Sequence, residues 1–568
     1  MTATTEAPSR PLAEPREHTG PDGRASARGR LEEALFSSLG IPLAGGVGMI
    51  AAIGLILGAT RPAITADEGT ALSTAKAALG GVHEWIDMLA PPLQVALYVP
   101  FFIFGHPELA TVMPALFGAL LLVLVVAVAW RVTGMLWAGA IAGLLLLSSA
   151  EYWHRSSLLP AYQMFVFFGY LGLVLIASAC RSERRPTWLA IGGGVALALS
   201  ACSFSSGLLF LPVALLVTFA AKAPWRAALL GPAVAGVLLL PVAVWHVAVA
   251  GLRNAWLYPH NFMVIKYAED LQRFRDTPDY DVLGYITQGL PGMLLNAAPI
   301  WLWLLAAVGL LMIGKTYGAR VSAAMAGAMV VALIPFIVVE QPPHARYGYF
   351  LVPGIALIAG VGLTLTLQSL TRSQAGRWFT VAVSLLALVG ASAAVSIHLD
   401  EVKAQHNSLR YAELQDMASR IDDNRAVLGR TSYLQVLLPD NQGYSPLFFS
   451  EAEYIPYVLW QDEEEVRQLF ADRNIGWVMF QKNVHLWERD FNEWAFRETG
   501  QPPLHFVCLP QSAGFTKVYD GEFFTLYKAE EDWVQSGSMS ELCNVPQCEL
   551  WAFQPGPVDG NYYCEPPE

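Results

Sequence analysis

The stretch PPLQVALYVPFFIFGHPELATVMPALFGALLLVLVVAVAWRVTG, from Pro91 to Gly134, decides the fold of this chain. Its second half contains an uncharged apolar run over residues 109–130, and Arg131 follows that run directly. A run of this length is enough to cross the roughly 30 Å hydrocarbon core of a bilayer as a helix. The first half is shorter and is interrupted by Pro100, so it predicts a re-entrant or interfacial segment.

The composition of the whole chain is also typical of a membrane protein. Of its 568 residues, 54% are hydrophobic and 14% are charged, whereas soluble globular chains carry about 25% charged residues. We count about eleven apolar stretches of membrane-spanning length, at residues 41–60, 109–130, 134–150, 158–180, 187–203, 207–222, 227–250, 291–313, 320–340, 348–370 and 377–398. No basic patch with interleaved aromatic residues points to a nucleic acid partner.

The loops between these stretches predict the orientation of the chain. If the N-terminus is cytoplasmic, the loops on the inner side are short and basic, as the positive-inside rule requires. Their basic residues are Arg131, Arg181, Arg184, Arg185, Lys222, Arg226, Lys315, Arg320, Arg372 and Arg377. We therefore predict a multi-pass protein of the plasma (inner) membrane, with a cytoplasmic N-terminus and two long outer loops at residues 61–109 and 251–290.

The predicted orientation divides the chain into three parts. Residues 1–40 are polar and rich in Pro, Gly and Ser, which predicts a disordered cytoplasmic tail. Residues 41–398 form a polytopic α-helical transmembrane domain. Because the number of spans is odd, residues 399–568 fall outside the cytoplasm and are predicted to form an extracytoplasmic α/β domain.

Two motifs in this tail predict its elements. EEEVRQLFADRNIGWVMFQ is typical of an amphipathic helix, a turn at Asn474 and a strand, and FTKVYDGEFFTLYKAE is typical of two strands joined at Asp520 and Gly521. The tail also holds four of the six cysteines, namely Cys508, Cys543, Cys548 and Cys564. Their even number predicts two disulfides in an oxidising compartment. A zinc site is the alternative, although no CxxC pair is present.

Polar side chains gather in the segments that the side assignment places outside. The candidate residues are Asp67, Glu68 and His83 in the first outer loop, Glu151, Arg155 and Tyr162 around the fourth span, and His344, Arg346 and Tyr347 before a late span. A carboxylate can take a proton from an acceptor, and cations can hold a phosphate leaving group. This combination suits glycosyl transfer from a lipid-phosphate sugar. The ordinary alternative is interfacial polarity, since tyrosine and snorkelling arginine are common where helices leave a bilayer.

Three stretches of the chain resemble the GT-C superfamily of polytopic glycosyltransferases. ADEG at 66–69 is similar to the family's acidic pair in its first outer loop, and the stretch at 91–134 is similar to its Pro-Pro-Leu segment and second helix. RYGYFLVPGIALIAGVGL at 346–363 looks like its late Arg-Tyr helix. The branch it resembles is protein O-mannosyltransferase-like and includes the aminoarabinose and galacturonic acid transferases of bacterial envelopes.

The resemblance implies a hexosyl or pentosyl transferase that inverts the anomeric carbon. Asp67 would act as general base on the acceptor, Glu68 would support it, and the donor would be a polyprenyl-phosphate sugar. Arg346 or another outer cation would hold the donor phosphate; Arg155, Tyr162, His344, Tyr347 and His83 are the other candidates for substrate or phosphate binding. The acceptor would be a lipid, glycan or protein of the cell envelope. The resemblance implies no organic cofactor and does not require a metal, so use of a divalent metal stays open.

Two positions depart from the family pattern. Aminoarabinose transferases have a lysine before the Pro-Pro pair, where this chain has Ala90. Many relatives have an arginine shortly before the tyrosine that starts the fourth span, whereas Pro160 and Ala161 precede Tyr162 here. Arg155 can supply that cation only if the chain between it and Tyr162 folds back.

Two other function classes compete with the transferase. A multi-pass transporter or lipid-glycan flippase would need ionisable residues at mid-membrane depth or paired broken helices, and the spans carry almost no charge at their centres. A non-catalytic envelope-assembly protein that displays the tail domain is the other alternative.

Overall fold

The structure is a computed structural model of the chain. It describes residues 66–80, 91–158, 162–180, 186–221, 229–245, 290–338, 348–370, 408–429, 436–438, 443–444, 474–481, 515–522 and 524–530, together with a few isolated positions. The first predicted span (41–60), the N-terminal tail, the outer loop at 251–285 and all four tail cysteines lie outside these residues. The predicted disulfides and the predicted domain boundaries therefore stay predictions.

The described part of the chain is mostly helical. Its helices are α1 (Ala66–Leu79), α2 (Pro92–Ile103), α3 (Val112–Thr133), α4 (Leu136–Leu147), α5 (Ala150–Ser157), α6 (Tyr162–Ala179), α7 (Pro186–Ser203), α8 (Phe210–Ala220), α9 (Leu229–Trp245), α10 (Leu290–Ala297), α11 (Ile300–Tyr317), α12 (Ala319–Val338), α13 (Val352–Leu370) and α14 (Ser408–Ser419). Short 3₁₀ turns at Pro107–Thr111, Ser205–Leu209 and Tyr349–Leu351 lead into α3, α8 and α13.

Five of the described helices are long and apolar enough to cross a membrane. They comprise Pro107–Thr133, Tyr162–Ala179, Pro186–Ser203, Ile300–Tyr317 and Tyr349–Ser369. Shorter apolar helices lie between them, so the chain is a membrane protein built from many helices. The predicted count of about eleven spans is not reached by the described residues.

One predicted span and one predicted loop differ from the helices observed. The span predicted at 291–313 is broken into α10 and α11, because Pro299 precedes the first residue of α11 and has no N–H with which to continue the helix before it. The polar segment after the 134–150 span, expected as a short loop, forms helix α5 instead. The 12-residue α2, with Pro100 inside it, agrees with the prediction that this segment is too short for a full span.

The helices pack closely where small residues face each other. A Cβ atom added to Gly362 of α13 would lie 2.1 Å from the Cα of Gly309 in α11. Such contact between backbones is how helices associate in a membrane, where lipid offers no hydrophobic force to drive them together. One buried apolar cluster accordingly includes residues of α3, α4, α6, α7, α11 and α13.

A five-stranded mixed sheet follows the helices. Its strands are β1 (Ala426–Gly429), β2 (Gly443–Tyr444), β3 (Ile475–Gln481), β4 (Phe515–Asp520) and β5 (Phe524–Ala529), in the order β2-β1-β3-β5-β4. The β1 strand pairs in parallel with β2 and β3, and β5 pairs antiparallel with β3 and β4. The β4–β5 hairpin and the β3 strand confirm the elements predicted from sequence, and Asn474 before β3 adopts a positive φ of 51°.

A second apolar cluster includes residues of both the first helices and the sheet. Leu72 of α1 and Tyr98 of α2 belong to it, as do Trp477 of β3 and Leu526 of β5. The Lys76 ammonium group of α1 also donates a hydrogen bond to the backbone carbonyl of Leu438. The helix that carries the acidic pair is thus attached to the sheet region as well as to the helix bundle.

Candidate functional site

Helix α5 carries a buried ion pair. Glu151 lies in its first turn and Arg155 one turn later, a spacing that brings side chains together on one helix face. The Arg155 Nε atom donates to the Glu151 Oε2 atom at 2.8 Å, with side-chain exposures of 9% and 13%. Removing two charges from water costs several kcal/mol per ion. A pair this buried is therefore poor evidence of a stabilising role and directs attention to function.

Arg155 also lies against the ring of Tyr162. Its guanidinium carbon is 5.0 Å from the ring centroid, within the range of a cation–π contact. Arg155 precedes Tyr162 by seven residues, and the contact shows that the two side chains do meet. In the described part of the chain, no acceptor is assigned to the two terminal nitrogens of Arg155, whose fork geometry suits a phosphate.

A chain of buried hydrogen bonds connects α5 to two membrane helices. The Tyr349 hydroxyl donates to the Gln163 Oε1 atom at 2.7 Å, and the Gln163 Nε2 atom donates to the Ser156 Oγ atom at 2.6 Å and to the Tyr152 carbonyl at 3.1 Å. All four side chains are at most 1% exposed. We call Tyr152, Ser156, Gln163 and Tyr349 the tyrosine–glutamine network.

The network rests on a glycine of α3. The Tyr152 hydroxyl donates to the Gly118 carbonyl at 2.7 Å, and burial raises the pKa of that hydroxyl well above its usual range, so it stays a neutral donor. A Cβ atom added to Gly118 would lie 2.4 Å from the Ser156 Oγ atom. Gly118 ends the MPALFG motif, so its lack of a side chain has a structural reason here.

A second tyrosine joins the same two membrane helices about two turns further along α6. The Tyr170 hydroxyl of α6 donates to the Phe350 carbonyl at 3.0 Å and accepts from the Gly354 backbone N–H at 2.8 Å. These bonds run to the backbone around the start of α13 and involve no residue of α5. Tyr170 therefore holds α6 to α13 without touching the Arg155 helix.

The acidic pair lies at the start of α1. Asp67 and Glu68 are the second and third residues of the helix. Leu72 of α1 and Met164 of α6 are both fully buried in the same apolar cluster. Since Met164 follows Tyr162 by two residues, this cluster connects the acidic helix with the helix that carries the cation–π partner.

The remaining predicted residues are not among those described. His83, His344, Arg346 and Tyr347 all lie outside the described ranges. Within those ranges, no group of three or more His, Cys, Asp or Glu side chains is arranged to hold a metal ion.

Solved structures with a similar fold include membrane glycosyltransferases. ArnT from Cupriavidus metallidurans, bound to undecaprenyl phosphate, aligns with a TM-score of 0.54 and 15% identity, over 85% of this chain and 97% of ArnT. The oligosaccharyltransferase AglB from Archaeoglobus fulgidus, in complex with an inhibitory peptide and a dolichol-phosphate, aligns with a TM-score of 0.53 and 14% identity, over 88% and 75%. This chain has the GT-C fold. No protein-family model and no curated protein matches its sequence.

The fold agrees with the fold that the three motifs indicated. The site adds residues that the motifs did not indicate. Gln163, Ser156, Tyr152 and Tyr349 were missed because the bonds of their network join segments that are distant in the chain. A signal for one of them was present: Gln163 is an isolated polar residue in the apolar run YQMFVFF. At membrane depth such a side chain must find its hydrogen-bond partners within the protein.

Proposed function

We propose that this protein is a membrane glycosyltransferase that moves a sugar from a polyprenyl-phosphate donor to an acceptor of the cell envelope. One observation carries the proposal. In a chain with the GT-C fold, a buried arginine is held by Glu151 and the Tyr162 ring, on a helix that hydrogen bonds connect to Gly118 and, through Gln163, to Tyr349. Two proteins with this fold were solved with a polyprenyl or dolichol phosphate bound.

Arg155 is suited to hold the phosphate of the donor. An arginine has five N–H donors, so the Nε atom can remain on Glu151 while the terminal nitrogens bind phosphate oxygens. The low dielectric of a buried site strengthens that contact. Tyr162 keeps the guanidinium plane in place through its ring. Arg346, which precedes Tyr349 by three residues in the chain, is the second cation that we assign to the phosphate.

The transfer step uses a carboxylate as the base and a cation. The acceptor oxygen or nitrogen attacks the anomeric carbon, its proton passes to the Asp67 carboxylate, and the bond between that carbon and the phosphate oxygen breaks. The electron pair leaves with the phosphate, whose growing charge Arg155 stabilises. Glu68 supports Asp67 in this proposal. Attack from the face opposite the phosphate inverts the anomeric carbon.

The reaction takes place on the outer face of the plasma membrane in this proposal. The basic loops between the predicted spans support a cytoplasmic N-terminus. With about eleven spans, as the sequence predicts, the acidic helix, the Arg155 site and the tail would share one side of the membrane. His83, His344 and Tyr347 belong to the predicted outer segments, and we assign them to substrate or phosphate binding as well.

The proposal is tested by comparing cells that carry the wild-type protein, no protein or the Asp67→Asn variant. Mass spectrometry of envelope lipids, glycans and proteins reports the transferred sugar and its acceptor together. We expect one glycosylated species that requires the wild-type protein and is lost with Asp67→Asn, while Glu68→Gln retains part of it. An unchanged level of that species with Asp67→Asn, at equal amounts of inserted protein, would refute Asp67 as the base.

A further inference from the structure

We infer that the tyrosine–glutamine network is a positioning device that sets Arg155 against the donor phosphate. Tyr349, Gln163 and Ser156 are positioning residues, since they touch neither donor nor acceptor and act through the arginine. This inference rests on the proposed function, because it takes Arg155 as the phosphate ligand.

The first argument is the length of α5. It has eight residues, and helices this short are unstable by themselves because nucleation costs more than so few hydrogen bonds return. The position of Arg155 therefore depends on contacts made by the rest of α5. Those contacts hold the two residues that bracket it along the helix: Tyr152 is bound to Gly118, and Ser156 is bound to Gln163.

The second argument is the way in which Gln163 is used. Its amide nitrogen donates to both Ser156 and the Tyr152 carbonyl, while its amide oxygen accepts from Tyr349. The amide can satisfy all three partners in one orientation only, with the nitrogen toward α5 and the oxygen toward Tyr349. A fixed amide of this kind transmits the position of Tyr349 to α5.

The third argument is where the network begins. Tyr349 belongs to the RYGYF segment and follows Arg346 by three residues. Its hydroxyl thus ties the segment that bears one predicted phosphate ligand to the helix that bears another. Two cations that grip one phosphate must keep a fixed spacing, because small errors in position cost much of the benefit of preorganised charge.

Tyr349→Phe and Tyr170→Phe make a matched pair for the test. Each variant deletes one buried hydroxyl that bridges α6 and the start of α13, and only Tyr349 is connected to α5. The purified full-length variants in lipid nanodiscs are titrated with undecaprenyl phosphate, and thermal unfolding is recorded in parallel. We expect Tyr349→Phe to bind the probe roughly tenfold more weakly, the size of effect that one lost buried hydrogen bond produces, and Tyr170→Phe to bind like wild type.

Gln163→Met and Ser156→Ala extend the test. Gln163→Met keeps the shape but removes every polar bond of the amide, so we expect it to weaken binding at least as much as Tyr349→Phe. Ser156→Ala removes one bond and is the milder variant if Gln163→Met fails to fold. Once a donor is identified, the variants should raise KM for it while kcat changes less.

The outcomes separate this inference from the proposed function. If wild-type protein binds undecaprenyl phosphate and Tyr349→Phe binds it as well as Tyr170→Phe does, the network is merely structural and the inference is overturned. The inference is also overturned if both variants bind the probe equally weakly and the weakening follows their loss of thermal stability. If the wild-type protein does not bind the probe at all, the proposed function itself fails.

Discussion

Two arginine–carboxylate pairs in this molecule have the same geometry and different surroundings. Arg155 and Glu151 lie at the ends of the membrane helices, and Arg425 and Asp423 lie beside the sheet; in both pairs the Nε–oxygen distance is 2.8 Å. Exposure of the arginine side chain is 9% in the first pair and 17% in the second. The distance alone does not show which pair serves a ligand.

The Arg425–Asp423 pair, here called the sheet pair, makes further hydrogen bonds to neighbouring protein groups. Asp423 accepts hydrogen bonds from the Trp477 indole at 2.8 Å and from the Arg425 backbone N–H at 3.0 Å, in addition to the guanidinium. A terminal nitrogen of Arg425 donates to the Ala529 carbonyl at 3.1 Å. These bonds join the segment before β1 to β3 and β5, so this pair holds the sheet together.

The Arg155–Glu151 pair, here called the membrane pair, has protein contacts on only part of its guanidinium group. Glu151 and the Tyr162 ring fix Arg155, and the network behind α5 fixes the helix, but the terminal nitrogens have no assigned acceptor in the part of the chain that the structure describes. The difference shows that the role of an arginine–carboxylate pair depends on the guanidinium N–H groups that do not bond to the carboxylate. A guanidinium with donors left at a buried site is suited to bind an anion.

The largest effect should come from removing each arginine in turn. Arg155→Met leaves the fold of the sheet intact and should reduce sugar transfer by about 10²-fold or more, as loss of a preorganised charge at a reacting group does. Arg425→Met should leave transfer nearly unchanged and lower the stability of the sheet by about 1–3 kcal/mol, because Asp423 loses a partner. Transfer assays together with hydrogen exchange over β3 measure both effects.

The opposite pattern of transfer activities would contradict the roles that we assign to the two pairs. If Arg425→Met abolished transfer while Arg155→Met left it intact, the sheet pair would belong to the site. An Arg155→Lys variant serves as a control, since it keeps the charge and loses the fork; it should recover only part of the activity.

A smaller effect is expected at the glycine behind the membrane pair. Gly118→Ala places a methyl group 2.4 Å from the Ser156 Oγ atom, which should destabilise the protein by about 1–3 kcal/mol through overpacking and displace α5. Gly236→Ala in α9 meets no atom within 4 Å and should be neutral or slightly stabilising, since alanine favours a helix. Thermal unfolding and undecaprenyl phosphate binding are the measurements. If Gly118→Ala binds the probe like Gly236→Ala, the close packing against Ser156 does not govern the site.

The smallest effect concerns pH and the sheet pair. Partial burial raises the pKa of Asp423, but hydrogen bonds from Trp477 and Arg425 lower it more, so its pKa lies below the ordinary 3.8. A carboxylate with a lowered folded-state pKa stabilises the fold above its unfolded pKa, and this contribution is lost as pH falls below that value. Hydrogen exchange over β3 should show wild type better protected than Asp423→Asn above pH 3.8, with the difference shrinking in stronger acid.

Asp422→Asn is the matched control for that titration. Asp422 is 68% exposed and pairs with Lys528 on the surface at 2.9 Å, and exposed pairs contribute little to stability. An equal acid response in both variants would show that the Trp477 and Arg425 contacts do not govern the titration of Asp423.

Much of the fold could be predicted from the sequence because the signals were local. The apolar run at 109–130 and the β4–β5 hairpin each depend on the composition and turn residues of one short segment, and both are confirmed. The break between α10 and α11 was missed because the apolar run continues through Pro299 without a change in composition. Helix α5 was missed because a segment of eight mostly polar and aromatic residues gives no periodic signal long enough to identify a helix.

The site was predictable only in part, because its contacts join residues that are distant in the chain. The sequence predicted Arg155 and Tyr162 as site residues, and the structure brings them together. The bond between Gln163 and Tyr349 spans 186 positions, and no spacing rule identifies such a pair. Asp67 and Glu68 remain predicted site residues whose roles rest on the proposed function.

The most direct test of the central claim is turnover of a lipid-phosphate sugar by the purified protein. Wild-type protein and Asp67→Asn are each incubated in nanodiscs with the polyprenyl-phosphate sugars and acceptors extracted from the native membrane, and release of free polyprenyl phosphate is measured by mass spectrometry. We predict that wild type releases polyprenyl phosphate as the acceptor gains a sugar, and that Asp67→Asn binds undecaprenyl phosphate equally well and releases none. Consumption of no lipid-phosphate sugar by a folded wild-type protein, with its acceptors present, would contradict the account.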